Sequence, residues 1–147
     1  MPEILIREMQ VSDIPDVLQI EHMSFTTPWS KDAFLNEIHK LYSFTKVAVL
    51  GDSIIGYICV NYIIDEGHIL NLAVHPDFRR RGIATKLFED ALNELKEIEC
   101  RYLYLEVRVS NLEAMKFYEH LGFRVMGIRK DYYTYPIEDA VTMMRRL

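Results

Sequence analysis

The chain has 147 residues, of which 50% are hydrophobic and 27% charged, and its formal net charge at pH 7 is -5. This length suits one domain with its own core, so we expect residues 1–147 to form a single domain. No apolar run approaches the roughly 20 residues that cross a bilayer, and the segment MPEILIREMQ is neither a signal nor a transit peptide. We therefore expect a cytoplasmic protein without membrane contact. The acidic balance also disfavours nucleic acid as a partner.

The first half of the chain predicts a strand, two helices and three more strands, in this order: EILIRE, SDIPDVLQIEHMSF, KDAFLNEIHK, SFTKVAVL, SIIGYICVNYIID and GHILNLAVHP. Ser12 and Ser30 precede the two helices and can cap them. The letters GDS between the second and third strands indicate a tight turn, which makes these strands a hairpin.

The second half predicts a helix, a strand, a helix and two final strands, in this order: residues 83–98, RYLYLEV, LEAMKFYEH, FRVMGIRKDYY and EDAVTMMRRL. The first of these helices has the clearest apolar stripe and should run about four turns. Ser110 and Glu113 have capping-box spacing before the second helix, and Gly122 should end that helix in a left-handed conformation.

The complete element order is therefore βααβββαβαββ, with about seven strands. Short turns should make neighbouring strands antiparallel, whereas the strands that flank the two later helices can pair in parallel. We predict an α/β protein whose mixed sheet carries helices on both faces.

Cysteine and histidine show no ligand spacing. Cys59 and Cys100 lie far apart and outside any CxxC motif, which predicts buried, reduced thiols rather than a disulfide or a zinc ribbon. The five histidines form no HExxH or similar motif, so we predict no metal site. We expect His68 and His75 to be structural or surface residues.

Positive charge is concentrated where the strongest helix begins, in HPDFRRRGIATKLFEDAL. Basic residues are disfavoured beside the partial positive charge of a helix N-terminus, and the segment 79–84 contains no Ser, Thr, Asp or Asn that could cap it. A bound anion would satisfy the free amides and neutralise the arginines, and a solvated basic turn is the alternative. The glycine signatures GxxxxGK[ST] and GxGxxG are absent, which disfavours a P-loop NTPase and a dinucleotide site.

The pattern Arg79-x-x-Gly82-x-Ala84 after a strand resembles the acyl-CoA-binding segment of the GNAT acetyltransferase superfamily. Three further segments resemble GNAT proteins of the ribosomal-protein alanine acetyltransferase type, and the last two also resemble archaeal N-terminal acetyltransferases: SFTTPWS, YLEVRVSNLEAMKFYEHLGF and IRKDYYTYPIEDAVTMMRRL. The resemblance covers the chain almost end to end and implies a centrally splayed GNAT sheet with acetyl-CoA as cosubstrate. It implies these cofactor-binding residues: Leu72, Ala73, Val74, Arg79, Arg80, Arg81, Gly82, Ile83, Ala84, Thr85 and Asn111.

The resemblance also implies the catalytic residues. Glu106 matches the general base that takes a proton from the acceptor amine, and Tyr118 matches the general acid that protonates the leaving thiolate. Taken without the resemblance, Glu106 is an outward-facing strand residue and Tyr118 a core aromatic. Neither cysteine lies in a nucleophile motif, so we predict direct transfer in a ternary complex.

The resemblance also implies the acceptor side, because two loops hold the peptide in N-terminal acetyltransferases and their counterparts here give these substrate-binding residues: Thr27, Pro28, Trp29, Tyr132 and Tyr133. An α-amine with a pKa of about 8 is more often deprotonated at neutral pH than a lysine with a pKa of about 10.4, and a single carboxylate base suits it better. We predict an N-terminal α-amino acetyltransferase that acts as a monomer or weak dimer on a protein or peptide N-terminus, with ribosomal proteins among the candidates. The alternatives are acetylation of a small amine or a lysine, and a non-catalytic acyl-CoA-binding module. The chain has TTPWS in place of the LPEN loop of many alanine- and serine-directed enzymes, so their side-chain specificity does not carry over.

Overall fold

The computed structural model describes residues 3–147, and within this range the elements follow the predicted order. The seven strands are β1 (Ile4–Glu8), β2 (Ser43–Leu50), β3 (Ser53–Ile63), β4 (Glu66–Val74), β5 (Tyr102–Arg108), β6 (Arg124–Thr134) and β7 (Ile137–Arg146). The four α-helices are α1 (Ile14–Ser24), α2 (Lys31–His39), α3 (Ile83–Glu97) and α4 (Leu112–His120). None of the helices described is long and apolar enough to cross a membrane.

All seven strands join one mixed sheet in the order β1-β2-β3-β4-β5-β7-β6. Strands β4 and β5, which flank α3, run parallel as predicted. Their pairing covers only Glu66–His68 against Tyr102–Tyr104, so the two strands separate toward their C-terminal ends. This separation is the central splay that the GNAT resemblance implied.

The prediction of parallel pairing across α4 is wrong. Strand β7 lies between β5 and β6 and pairs antiparallel with both. Burial explains this order, because Ala140, Val141, Met143 and Met144 of β7 are at most 5% exposed, whereas nearly every residue of β6 is exposed. Strand β7 therefore needs a neighbour on each side, and the more polar β6 takes the edge.

Helices cover both faces of the sheet, as predicted, and each face has its own core. On one face Leu87 and Leu95 of α3 are fully buried, in a core that also contains Tyr118 of α4. On the other face Val17 of α1 and Phe34 of α2 pack against the sheet. The two layers bring the C-terminus of α1 and the N-terminus of α3 to the splay.

The predicted cap of α1 is wrong, whereas Ser30 caps α2 as predicted. The chain enters α1 through a 3-10 turn, where the carboxylate of Asp13 accepts the backbone N–H of Gln10 at 2.7 Å. The same carboxylate pairs with Arg7 of β1 at 2.7 Å, and this ion pair holds the pKa of Asp13 below its usual value. The contact between strand and turn takes the place of the local cap expected from Ser12.

The predicted cap of α4 is wrong by one residue. The Oδ1 atom of Asn111 accepts the N–H of Ala114 at 3.1 Å. The backbone N–H of Ser110 donates instead to the carboxylate of Glu138 at 2.7 Å, so Ser110 belongs to the loop that precedes α4. Gly122 follows α4 with a φ of +91°, the left-handed conformation predicted for it.

Candidate active site

Two adjoining clefts lie at the splay between β4 and β5. The larger has a volume of about 560 Å³, and we call it the arginine cleft after its lining by Arg79, Arg80 and the start of α3, Gly82–Thr85. The smaller has a volume of about 270 Å³, and we call it the glutamate cleft after Glu21 and Glu106. The clefts meet at five residues that line both: Phe25, Leu72, Asn111, Ala114 and Tyr118.

The arginine cleft is built around the bare N-terminus of α3. Gly82 is the N-cap and has a φ of +77°, a conformation that glycine adopts without strain. Among the residues described, no side chain caps this helix, so the N–H groups of Ile83, Ala84 and Thr85 lack a helical partner. A Cβ added at Gly82 would meet no atom within 4 Å, so open space lies beside these donors. The arrangement can bind a phosphate-like anion.

The three arginines before α3 differ in their contacts. Arg79 makes structural hydrogen bonds. Its Nε donates to the carbonyl of Val74 at 3.0 Å, and its Nη2 donates to the hydroxyl of Ser24, at the end of α1, at 3.2 Å. Arg80 lines the arginine cleft. Arg81 does not line it, and its guanidinium lies 5.3 Å from the centre of the Phe78 ring. Arg80 is therefore the arginine best placed to meet a bound anion.

Ten of the eleven predicted cofactor-binding residues line the arginine cleft, and Arg81 is the exception. Leu72, Ala73 and Val74 lie on β4 beyond the last residue that pairs with β5, so one edge of this backbone faces the gap. Because the Oδ1 of Asn111 caps α4, only its side-chain nitrogen is left to donate to a ligand.

Glu106 is the carboxylate of the glutamate cleft that lies close to basic side chains. Its Oε1 lies 2.9 Å from His68 Nε2, accepts the Tyr132 hydroxyl at 3.4 Å, and is 3.9 Å from Arg129. The hydrogen bond from His68 holds the pKa of Glu106 below its usual value, although burial acts in the opposite direction. Glu106 is therefore ionised at neutral pH and can accept a proton.

Tyr118 lies where the two clefts join. Its side chain is buried between Phe117 and Phe123, with ring centres 5.2 and 5.5 Å away. Burial raises the pKa of Tyr118 well above its usual value, so its hydroxyl keeps the proton at physiological pH. A phenol that faces both clefts can donate a hydrogen bond or a proton to a group between them.

The α1–α2 loop forms one wall of the glutamate cleft. Thr27 and Trp29 line this wall, whereas Pro28 lies between them without lining it. The Trp29 ring packs at 5.1 Å, centre to centre, on Phe34 of α2.

The β6–β7 hairpin forms the opposite wall, where Tyr133 lines the cleft. Burial raises the pKa of Tyr133 to about 12. The guanidinium of Arg108 lies 4.3 Å from the centre of the Tyr133 ring and donates to the carbonyls of Tyr135 and Pro136 at 3.1 and 3.0 Å. Arg108 also pairs with Glu138 at 3.1 Å, so it fastens the hairpin to the end of β5.

Sequence reasoning missed three residues of this region. His68 was expected to be structural or at the surface, yet it bonds to Glu106. The strand register explains this contact. His68 pairs with Tyr104, and Tyr104 and Glu106 lie two residues apart on β5, so their side chains share a face. Glu21 could have been found from helical spacing, because it is an acidic residue four positions after Val17 and therefore lies on the buried side of α1. Arg108 gave no signal, because its partners lie in a loop that only the fold brings near.

A splayed mixed sheet with an anion cradle on one side of the gap, a carboxylate on the other and a phenol between them is the arrangement of a group-transfer enzyme. No group of three or more His, Cys, Asp or Glu side chains within residues 3–147 could hold a metal ion.

The chain belongs to the acetyltransferase (GNAT) family, whose model matches residues 14–123, and it is an N-acetyltransferase. It is 39% identical over 139 residues to a putative ribosomal protein bS18-alanine N-acetyltransferase of Bacillus subtilis, covering 94% of this chain and 92% of the relative. The ribosomal-protein-S18-alanine N-acetyltransferase structure from Escherichia coli superposes with a TM-score of 0.89 at 30% identity, covering 98% and 94% of the two chains. The Ard1 structure from Thermoplasma volcanium gives a TM-score of 0.91 at 30% identity, covering 98% and 97%. Acetyltransferases of this fold use acetyl-CoA, and several solved ones contain it or CoA.

Proposed function

We propose that this chain, acting as one domain over residues 1–147, transfers the acetyl group of acetyl-CoA to the N-terminal α-amine of a protein. The observation that carries the proposal is the shared boundary of the two clefts. An anion cradle lies on one side, an ionised carboxylate on the other, and a protonated tyrosine between them.

The arginine cleft would hold the cosubstrate. The free amides of Ile83–Thr85 and the side chain of Arg80 suit its pyrophosphate. The open backbone edge of Leu72–Val74 and the side-chain nitrogen of Asn111 suit its amide-containing arm. When bound, acetyl-CoA supplies the activated thioester carbonyl.

Glu106 acts as the general base. Its carboxylate takes a proton from the neutral acceptor amine, directly or through one water, as the amine's lone pair forms the new C–N bond. His68 keeps this carboxylate ionised, so most of the enzyme is competent at neutral pH. An α-amine with a pKa of about 8 gives up its proton more readily than a lysine with a pKa of about 10.4, which favours an N-terminal acceptor.

Tyr118 acts as the general acid. Its hydroxyl donates a hydrogen bond to the sulfur as the C–S bond breaks, and the departing thiolate completes its protonation from the solvent, into which Glu106 releases its proton. Since burial raises the pKa of Tyr118, complete proton transfer is less favourable than a strong hydrogen bond to the developing thiolate. Neither cysteine serves as a nucleophile, because Cys59 and Cys100 are both buried and burial raises the pKa of each thiol.

The acceptor peptide would enter the glutamate cleft between the Trp29 wall and the Tyr133 wall. Two of the similar proteins are named for the alanine N-terminus of a ribosomal protein, which supports a ribosomal protein as acceptor and the cytoplasm as the place of action.

Acetylation assays on three acceptors test this proposal: an alanine-starting peptide, the same peptide with a blocked N-terminus and an internal lysine, and a small diamine. Mass spectrometry locates the acetyl group, and calorimetry measures CoA binding. We expect acetylation of the free α-amine only. Acetylation of the lysine peptide or the diamine alone would contradict the proposal, and CoA binding without any product would indicate a non-catalytic module.

A further inference from the structure

Glu21 carries a carboxylate that the proposed chemistry does not use. The residue is 1% exposed, yet it lines the glutamate cleft. Its Oε1 accepts the Tyr57 hydroxyl at 2.5 Å and the Asn71 amide at 2.7 Å, and its Oε2 accepts the backbone N–H of Trp29 at 2.9 Å. One side chain of α1 therefore joins β3, β4 and the α1–α2 loop.

The contacts of Glu21 close a ring. The Trp29 side chain packs on Phe34 at 5.1 Å, Phe34 packs on Tyr57 at 5.6 Å, and Tyr57 donates to Glu21. Glu21 then returns to the backbone of Trp29. Of the two hydrogen bonds in this ring, only the one from the Trp29 backbone attaches the α1–α2 loop itself to Glu21, so this bond fixes the position of the loop that forms one wall of the cleft.

A buried glutamate without a basic neighbour is unusual for a structural residue, and Glu21 is one. Within residues 3–147 no Lys, Arg or His nitrogen lies within 4.0 Å of its carboxylate, whereas the buried carboxylate of Asp13 is paired with Arg7. A buried carboxyl group without a cationic partner is costly, and an apolar side chain would fill this position on the helix at lower cost. Three hydrogen bonds from neutral donors offset part of that cost, and two of the donors, Asn71 and Trp29, belong to residues that line the glutamate cleft.

We infer that Glu21 is a positioning residue of the acceptor site, which holds the Trp29 wall at the distance from Glu106 that the acceptor peptide requires. This role rests on the proposed function, because it assumes that a peptide occupies the glutamate cleft.

The decisive variant is Glu21→Gln, which keeps the shape but replaces one acceptor oxygen with a donor, so that at least one of the three hydrogen bonds is lost. We expect the KM for an alanine-starting peptide to rise about tenfold, the factor of one hydrogen bond to a charged group, with kcat changed less than about threefold. The Kd of CoA should stay unchanged. A fall in kcat with an unchanged KM would overturn the inference, because Glu21 would then act on the reacting groups.

Tyr57→Phe is the matched control. It removes one donor from the same carboxylate but leaves the bond to Trp29, so it should lower Tm without raising the peptide KM. A rise in KM equal to that of Glu21→Gln would overturn the inference, since general destabilisation would then explain both. If Glu21→Gln does not fold, Glu21→Asp keeps the charge, and its shorter side chain cannot reach all three donors.

Trp29 is the only tryptophan of the chain, so its fluorescence reports the wall independently of activity. Quenching of Trp29 by acrylamide should increase in Glu21→Gln and stay unchanged in Tyr57→Phe. This readout separates the two proposals: if the wild type acetylates no N-terminal peptide, the proposed function fails, whereas unchanged quenching in Glu21→Gln contradicts the positioning role alone.

Discussion

The two clefts at the splay are built in different ways. The arginine cleft depends on backbone groups of one short segment, Gly82–Thr85, and on the edge of β4. The glutamate cleft depends on side chains that come from α1, β4, β5 and the β6–β7 hairpin, and each is held by partners distant in sequence. Cosubstrate binding should therefore respond to changes of backbone conformation, and acceptor chemistry to changes of single side-chain groups.

The largest expected effect is that of Glu106→Gln on turnover. Loss of a general base lowers rates by at least about a hundredfold, and the loss should be greater at low pH, where free amine is scarce. The Kd of CoA should stay within about twofold of wild type, because Glu106 lines the glutamate cleft only. Steady-state kinetics and calorimetry give both values. A large loss of CoA affinity would mean that the clefts are not separate in function.

A change of backbone conformation at the start of α3 should affect CoA affinity, which Glu106→Gln leaves unchanged. Gly82→Ala places a side chain at a φ of +77°, which strains the start of α3 and displaces its amides, so we expect CoA affinity to fall about tenfold. Gly51→Ala is the control, because Gly51 has a φ of +61° and no atom near its added Cβ, but lies in the β2–β3 turn. It should cost similar stability and leave CoA affinity unchanged. Equal losses of affinity in both variants would remove the basis for the amide cradle.

The arginines allow a finer test within the same cleft. Arg80→Glu should weaken CoA binding several-fold more than Arg81→Glu, because Arg80 lines the arginine cleft and Arg81 does not. The difference should shrink as salt is raised from about 0.05 to 0.5 M, since both effects are electrostatic. Equal effects at low salt would show that the phosphates lie between the two side chains rather than at Arg80.

The smallest expected effect is a shift in pH dependence. The hydrogen bond from His68 lowers the pKa of Glu106, so His68→Leu should raise that pKa and move the acid limb of the kcat/KM profile to higher pH. His68→Gln, which can still donate a hydrogen bond, should move it less. An unchanged acid limb in His68→Leu would mean that Glu106 does not set this limb.

The difference between the clefts also decides what could be predicted from the sequence. The segment 79–85 is contiguous, so its charge, glycine and missing cap indicated either an anion site or a solvated basic turn, and the resemblance of the same segment to GNAT proteins favoured the anion site. The order of β7 and β6, by contrast, depends on how deeply each strand is buried, and the sequence alone did not show that the last strand lies inside the sheet and the strand before it at the edge. His68, Glu21 and Arg108 act through partners in other elements, so their roles emerge only when the fold brings these partners together.

Cosubstrate and acceptor N-terminus should meet at Tyr118 from opposite clefts. This can be seen in a crystal structure with CoA joined through an acetyl linker to the α-amine of an alanine-starting peptide. We predict the pyrophosphate at the amides of Ile83–Thr85, the linker beside Tyr118, and the peptide nitrogen within one water of Glu106. A peptide that left the glutamate cleft empty, or a pyrophosphate away from α3, would contradict it.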